Sequence, residues 1–180
     1  MRSAIRDTLF ILAVAVIIFL VMNFTLQTSV VTGSSMEPNL HHGQRLVLSK
    51  VAYMRQSPEM GDIVVFDPPQ NQGSVPLIKR VIGLPGDVVS VDSGSVYVND
   101  RQLVEPYISE PPHYYFEAIT VPEGHYFVLG DNRNQSADSH QGWTVPEDNL
   151  IAKAWLSIWP IGEIGLAPNI DAADIATANP

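Results

Sequence analysis

The chain contains no cysteine. Neither a disulfide framework nor a thiolate metal site can form, so stability has to come from packing, and the redox compartment is left open. Lysine is scarce, at Lys50, Lys79 and Lys153 alone, and 10 basic residues face 19 acidic ones, for a formal net charge of −9. With no basic stripe to neutralise phosphates, this balance argues against nucleic acid as a partner. His41, His42, His113, His125 and His140 are the five histidines, and none sits in His-Glu-x-x-His or a comparable ligand spacing, so no metal or other cofactor is implied. Internal repeats are absent as well. A length of 180 residues is one domain's worth of chain, with room for a small inserted lobe.

One long apolar run is present. Leu9 to Met22 carries no charge, and residues 8–26 extend the stretch with only Asn23 and Thr25 as polar interruptions. As a helix those residues reach roughly 28 Å, close to the ~30 Å of a bilayer's hydrocarbon layer. Arg2 and Arg6 precede the run, partly offset by Asp7, which places that end in the cytoplasm and the body on the outer face. A cleavable signal peptide shares the basic start and short apolar core, and a buried soluble helix is a third reading. The continuation Asn23-Phe24-Thr25-Leu26-Gln27 lengthens the helix and offers no Ala-x-Ala-like site, which favours an uncleaved anchor. Without Arg2, Arg6 and Asp7 the remainder holds 8 basic and 18 acidic residues, so its contact with a membrane face would have to be apolar.

Beyond the anchor the pattern shortens. Arg45 to Leu48, Asp62 to Phe66, Leu77 to Ile82, Val88 to Val91, Val96 to Val98, Tyr126 to Leu129 and Ala154 to Trp159 are strand-length runs rich in β-branched and aromatic residues. Gly43, Gly61, Pro85-Gly86, Asn99-Asp100 and Gly130-Asp131 punctuate them. The expectation is a mainly β protein: an antiparallel catalytic body over residues 30–166, with a small inserted β lobe near 92–125. It follows a cytoplasmic start and transmembrane helix over 1–29 and precedes a weakly ordered tail over 167–180. Glu105 to Ile119, with three prolines, reads as extended loop or lobe.

Ser35, in Gly33-Ser34-Ser35-Met36, reads on its own as a loop serine or helix cap, and it lacks the Gly-x-Ser-x-Gly context of a nucleophile elbow. His41 and His42 lie near it in sequence, but strand neighbours point to opposite faces and no acid is patterned to orient either ring, so a surface pair is the better reading. Lys79 lies among aliphatics, sharing a strand face with Leu77 and Val81 while Ile78, Arg80 and Ile82 share the other. It is either a lysine snorkelling at a sheet edge or a buried amine whose desolvation prepares it as a general base.

Gly33 to Leu40, Gly61-Asp62-Ile63-Val64, Lys79 to Asp87 and Gly130 to Ser139 together resemble the ordered boxes of bacterial type I signal peptidases, over about Val30 to Trp159 and behind the anchor that also belongs to that pattern. The resemblance implies that Ser35 is the nucleophile and Lys79 the general base. It makes Ser136, in Asn-Arg-x-x-Ser-x-Asp, the residue that orients the lysine, with Asp131, Arg133 and Asp138 supporting the site and the Ser35 backbone N–H acting as oxyanion donor. Met36, Leu77, Ile78 and Val81 are candidate walls of a pocket for small residues at the −1 and −3 positions. Departures from the pattern are Gly33 in place of a serine found in some members, Asn39 for threonine, His140 for arginine, and Gly142-Trp143 where members usually read Trp-Gly.

The implied partners are signal-peptide-bearing preproteins and, through residues 8–26, a lipid bilayer; nothing fixes the oligomeric state. A bacterial inner or plasma membrane is the expected location, and a thylakoid-type membrane is the alternative. Rival readings are a self-cleaving serine-lysine repressor, which the anchor argues against, and a catalytically silent β module, which the presence of both Ser35 and Lys79 argues against.

Overall fold

In the computed structural model, which describes residues 2–54, 56–70, 75–172 and 174–175, the apolar run forms helix α1 (Arg2–Thr25). Its segment Ile5–Thr25, 21 residues, is long and apolar enough to cross a membrane, and none of it is buried inside the protein. The helix stops earlier than its composition suggests. Leu26, expected to continue it, instead opens strand β1 (Leu26–Val30), because five backbone positions there pair in antiparallel register with β2 (Arg45–Ser49), from Leu26 opposite Ser49 to Val30 opposite Arg45. Those ladder bonds outweigh a weak helical preference in a segment that ends on Thr28, Ser29 and Val30. Lys50 fastens the junction: its N–H donates to the Thr25 carbonyl at 2.9 Å and its ammonium reaches the Asn23 carbonyl at 3.4 Å.

The remaining strands are β3 (Ile63–Phe66), β4 (Leu77–Gly83), β5 (Val88–Asp92), β6 (Ser95–Val98), β7 (Arg101–Gln102), β8 (Phe116–Thr120), β9 (His125–Leu129), β10 (Val145–Pro146), β11 (Leu150–Trp159) and β12 (Gly165–Leu166). All seven expected strands are among them. The large antiparallel sheet runs β1-β2-β11-β3-β4-β9-β10, with β12 paired to β11, and a second sheet runs β7-β6-β5-β8. The expected mainly β body with a small inserted lobe is thus what forms. β8 begins within the stretch read as extended loop or lobe and pairs with β5 through Val88–Thr120 and Val89–Ile119.

Alternation along the central strands explains how the sheet buries both faces. Ile63 and Val65 of β3 pack with Met36, Leu46, Leu48 and Ala154, while Val64 and Phe66 of the same strand pack with Val81, Tyr126, Val128 and Val145. A third cluster joins the sheets: Ile82, Phe127 and Leu129 of the large one meet Val89, Val91, Val96 and Val98 of the small one. β4 lies between β3 and β9, an interior position, so the sheet-edge reading of Lys79 does not hold.

The expectation for the tail takes a different form where the structure describes it. Ala167 and Ile175 are buried, the second in the cluster that joins the two sheets. Asn169 is the clasp: its Oδ1 accepts from the Ile63 N–H at 2.7 Å and its Nδ2 donates to the Ala154 carbonyl at 2.8 Å. Its backbone neighbour Pro168 offers a carbonyl to the buried Arg80 at 2.9 Å. Residues 173 and 176–180 lie outside the described set.

Removing the Asn169 side chain strands the N–H of Ile63, a fully buried residue. Asn169→Ala should therefore destabilise the body by about 1–3 kcal/mol. Urea unfolding in detergent, followed by tryptophan fluorescence, would show a lower midpoint at unchanged slope.

Candidate active site

Ser35 opens a tight turn that follows β1. The Glu37 N–H donates to the Ser34 carbonyl at 3.2 Å, and the Asn39 and Leu40 N–H groups donate to the Met36 carbonyl at 3.0 and 2.9 Å. Two bonds from the segment after β9 fix the turn: Asn132 donates through its backbone to the Ser35 carbonyl at 3.0 Å and through its side chain to the Ser34 carbonyl at 3.2 Å. Gly130 permits this approach, since a Cβ there would fall 2.4 Å from the Ser35 carbonyl oxygen and 2.3 Å from Ser136 Oγ. Gly33 has φ +89°, a conformation that side chains resist, and its N–H donates to His42 Nδ1 at 3.1 Å. Glycine at that position is therefore a backbone requirement of the turn. His41 and His42 are both exposed, and neither ring bonds Ser35.

Lys79 projects from β4 to the same point. Its Nζ lies 2.7 Å from Ser35 Oγ and donates to the Ile78 carbonyl at 3.0 Å. The side chain is 3% exposed. Burial lowers its pKa to about 8, against the opposing pull of the Asp138 and Asp131 carboxylates. Among the described residues no acceptor takes the Ser35 backbone N–H. A hydroxyl and an amine that can be neutral thus share a hydrogen bond beside a free N–H donor, the set needed to attack a carbonyl and hold the resulting oxyanion.

The pair lines a cleft of about 570 Å³ together with Ser29, Val30, Leu48, Leu77, Ile78 and Ile151. Of the four expected wall residues, Leu77 and Ile78 line it. Met36 and Val81 do not: each is at most 1% exposed and packs into the core, because the turn after Ser35 folds Met36 inward and Val81 is enclosed by Val64, Phe66, Tyr126 and Val128.

Ser136 is also brought to the site, buried against Gly130, but its Oγ has no hydrogen-bond partner among the described residues. Asp131, Arg133 and Asp138 are buried around it. Asp131 forms a two-pronged pair with Arg80, Nε to Oδ1 at 2.8 Å and Nη2 to Oδ2 at 2.7 Å, and both side chains are fully buried. Arg133 donates to the Gly130 carbonyl at 3.0 Å and to both oxygens of Glu105, at 2.8 and 2.6 Å. Asp138 accepts the Gly130 N–H at 2.9 Å and faces His140 Nδ1 at 2.7 Å.

Several supports escaped the sequence reading. Asn39 donates through one nitrogen to Asp131 Oδ2 and to the Tyr107 carbonyl, both at 2.8 Å, which gives the departure from threonine a physical role. The Tyr107 ring lies 4.4 Å from the Arg80 guanidinium carbon and 5.8 Å from that of Arg133, and its hydroxyl donates to Glu105 at 2.7 Å. Arg80 stood beside Lys79 in the sequence as a visible signal. Glu105 and Tyr107, in a proline-rich stretch, carried none. Asp62, in the second box, serves elsewhere: it accepts the Tyr53 hydroxyl at 3.0 Å and pairs with Lys153.

Comparison with known proteins agrees with this architecture. A family model described as "Signal peptidase, peptidase S26" matches residues 4–159. The chain is 43% identical over 150 residues to the probable signal peptidase I-2 of Synechocystis sp., covering 81% of this chain and 69% of that one. It is 42% identical over 168 residues to the probable signal peptidase I-1 of the same organism, covering 89% and 86%. It is also 36% identical over 143 residues to the thylakoidal processing peptidase 1 of Arabidopsis thaliana, covering 74% of this chain and 42% of that one. The chain belongs to the signal peptidase family, peptidase S26, and its activity is that of signal peptidase I, a serine peptidase that removes signal peptides.

Proposed function

We propose that the reaction runs on Ser35 as nucleophile and Lys79 as general base, cutting preproteins after small residues at the −1 and −3 positions. The observation that carries the reading is the 2.7 Å contact between Ser35 Oγ and the buried Lys79 amine in the lining of an apolar cleft. Ser35 Oγ attacks the scissile carbonyl carbon while Lys79 Nζ takes the hydroxyl proton. The Ser35 N–H stabilises the oxyanion, and the Lys79 ammonium returns its proton to the departing amine as the peptide bond breaks. Water, giving a proton to the neutral Lys79, then hydrolyses the ester and frees Ser35. The role of steadying the lysine falls to Ser136 by the family resemblance and by its burial beside Gly130 at the site, not by a hydrogen bond to Lys79. Arg133 and Asp138 hold the Gly130 backbone, and Asp131 holds Arg80 and Asn39, by charge-assisted bonds. The substrate's extended segment lies between β1 and the start of β4, where apolar walls admit only short side chains close to Ser35.

On the same reading α1 spans the bilayer with Arg2 and Arg6 on the cytoplasmic side and the β body outside. Trp155, Trp159, Ile161, Ile164 and Leu166 are all about half exposed or more, and this apolar strip around β11 and β12 supports a body that rests against lipid. We place the enzyme in a bacterial inner or plasma membrane; similarity to the thylakoidal processing peptidase of Arabidopsis thaliana supports a thylakoid-type membrane as the alternative.

Three outcomes follow. Cleavage of a preprotein bearing an Ala-x-Ala site should fall by about a thousandfold or more in Ser35→Ala and in Lys79→Met. Wild-type kcat/KM should rise with pH through a limb near the lysine's pKa of about 8, since only the neutral amine accepts the proton. Cleavage surviving in Lys79→Met would end the dyad assignment.

Lys79→Met should also stabilise the fold near neutrality. The lysine's pKa falls from 10.5 to about 8 on folding, so its cost is complete below the folded value and absent above the unfolded one. The variant's advantage is expected at about 3 kcal/mol at pH 7 and should shrink to nothing as pH rises through that window, in paired urea titrations.

Ser136→Ala should lower kcat by about tenfold to a hundredfold with KM little changed, because it loosens the base and leaves the cleft intact. Steady-state kinetics at saturating and limiting substrate separate the two constants.

A further inference from the structure

The carboxylate of Asp138 is fully buried, yet it is not sealed from solvent. Oδ2 is occupied by the Gly130 N–H at 2.9 Å, while Oδ1 faces His140, at 2.7 Å from Nδ1 and 3.3 Å from its backbone nitrogen. The imidazole stacks on Tyr114 with ring centroids 4.3 Å apart and keeps 21% of its side chain exposed. The Gly130 that Asp138 holds packs against the carbonyl of Ser35, whose hydroxyl meets Lys79, and this carboxylate exerts the stronger of two negative influences on the amine. His140, partly open to solvent, thus meets a buried carboxylate that is tied through Gly130 to the turn carrying Ser35.

We propose that His140 is a positioning residue of the peptidase reaction, whose imidazole, by being neutral or protonated, sets how much of the negative charge of Asp138 is presented to Lys79. The proposal rests on Lys79 being the base. An imidazolium against Oδ1 makes a neutral pair, and the amine then releases its proton more readily. A neutral imidazole leaves the carboxylate uncompensated, and the ammonium is favoured. Histidine is the side chain suited to switch between these states in the working range.

The other groups facing this cluster hold their charges in place. Tyr114, from the segment before β8, has a hydroxyl with no partner among the described residues, and burial raises its pKa, so it stays a neutral phenol. Arg133 is paired with Glu105, and Asp131 with Arg80. On the proposal, the charges left to vary around Asp138 are those of His140 and Lys79.

The test is kcat/KM for preprotein cleavage by the full chain in detergent, from pH 5.5 to 10, in wild type, His140→Arg and His140→Gln. The arginine variant, with a permanent cation against Asp138, should be about threefold to tenfold more active at pH 7 than the glutamine variant, through kcat and not KM. Wild type should track the arginine variant at the acid end and the glutamine variant at the alkaline end, which gives its limb a slope below one. Superimposable limbs for the two variants, or a change confined to KM, would overturn the proposal. A second measurement leaves His140 intact: the imidazole's titration, followed by NMR in labelled protein, should move toward higher pH in Lys79→Met than in Ser35→Ala, because linkage is reciprocal. An unmoved titration also overturns it. Failure of the base assignment is distinguishable, since it appears as cleavage by Lys79→Met whatever stands at position 140.

Discussion

The buried pair of Arg80 and Asp131 is the constraint around which the body closes. Desolvating two charges costs several kcal/mol each, and the cost is recovered only where every proton and lone pair finds a partner. Here the partners come from distant parts of the chain: Gly61 before β3, Pro168 from the tail and Asn39 from the turn after Ser35. Satisfying one guanidinium and one carboxylate therefore fixes three loops relative to β4. The same strand carries Lys79 one residue away. Because the Asp131 carboxylate acts on the lysine, the Arg80 cation that pairs with it also bears on the local balance of charge.

A second ion pair extends this frame into the inserted lobe. Arg133 and Glu105 join the segment after β9 to the loop after β7, and the Tyr107 ring lies close to both guanidinium groups. Buried ion pairs of this kind are weak sources of stability compared with apolar packing of the same volume, but they fix directions that apolar contacts leave free. On the proposed assignment of Ser35 and Lys79, a base on a flexible four-carbon stem needs direction above all. The lobe then contributes to the geometry around the pair without supplying a group that reacts.

Much of this was legible in sequence, for identifiable reasons. Strands such as Ile63–Phe66 and Val96–Val98 announce themselves through β-branched composition, and the boxes around Ser35, Lys79 and Ser136 carry fixed residue types. What stayed hidden depends on contacts between remote segments. The switch from helix to strand at Leu26 follows from pairing with β2, and the inward turn of Met36 follows from a fold-back that composition does not encode. Glu105 is one acid among 19, distinguished only by meeting Arg133. The residues after Leu166 look like an unstructured tail until Asn169 is seen to satisfy an interior strand's N–H.

α1 passes into β1 with no residue between them, and β1 is bound along its whole length to β2. Five extended residues separate the end of the helix from the loop that carries Ser35, roughly 17 Å of chain at ~3.3 Å each. A junction without slack works as a ruler. With α1 in the bilayer, the height of the cleft above it is set by covalent geometry and ladder bonds, so on the proposed reading the distance from the substrate's own apolar segment joins side-chain size in selecting the scissile bond.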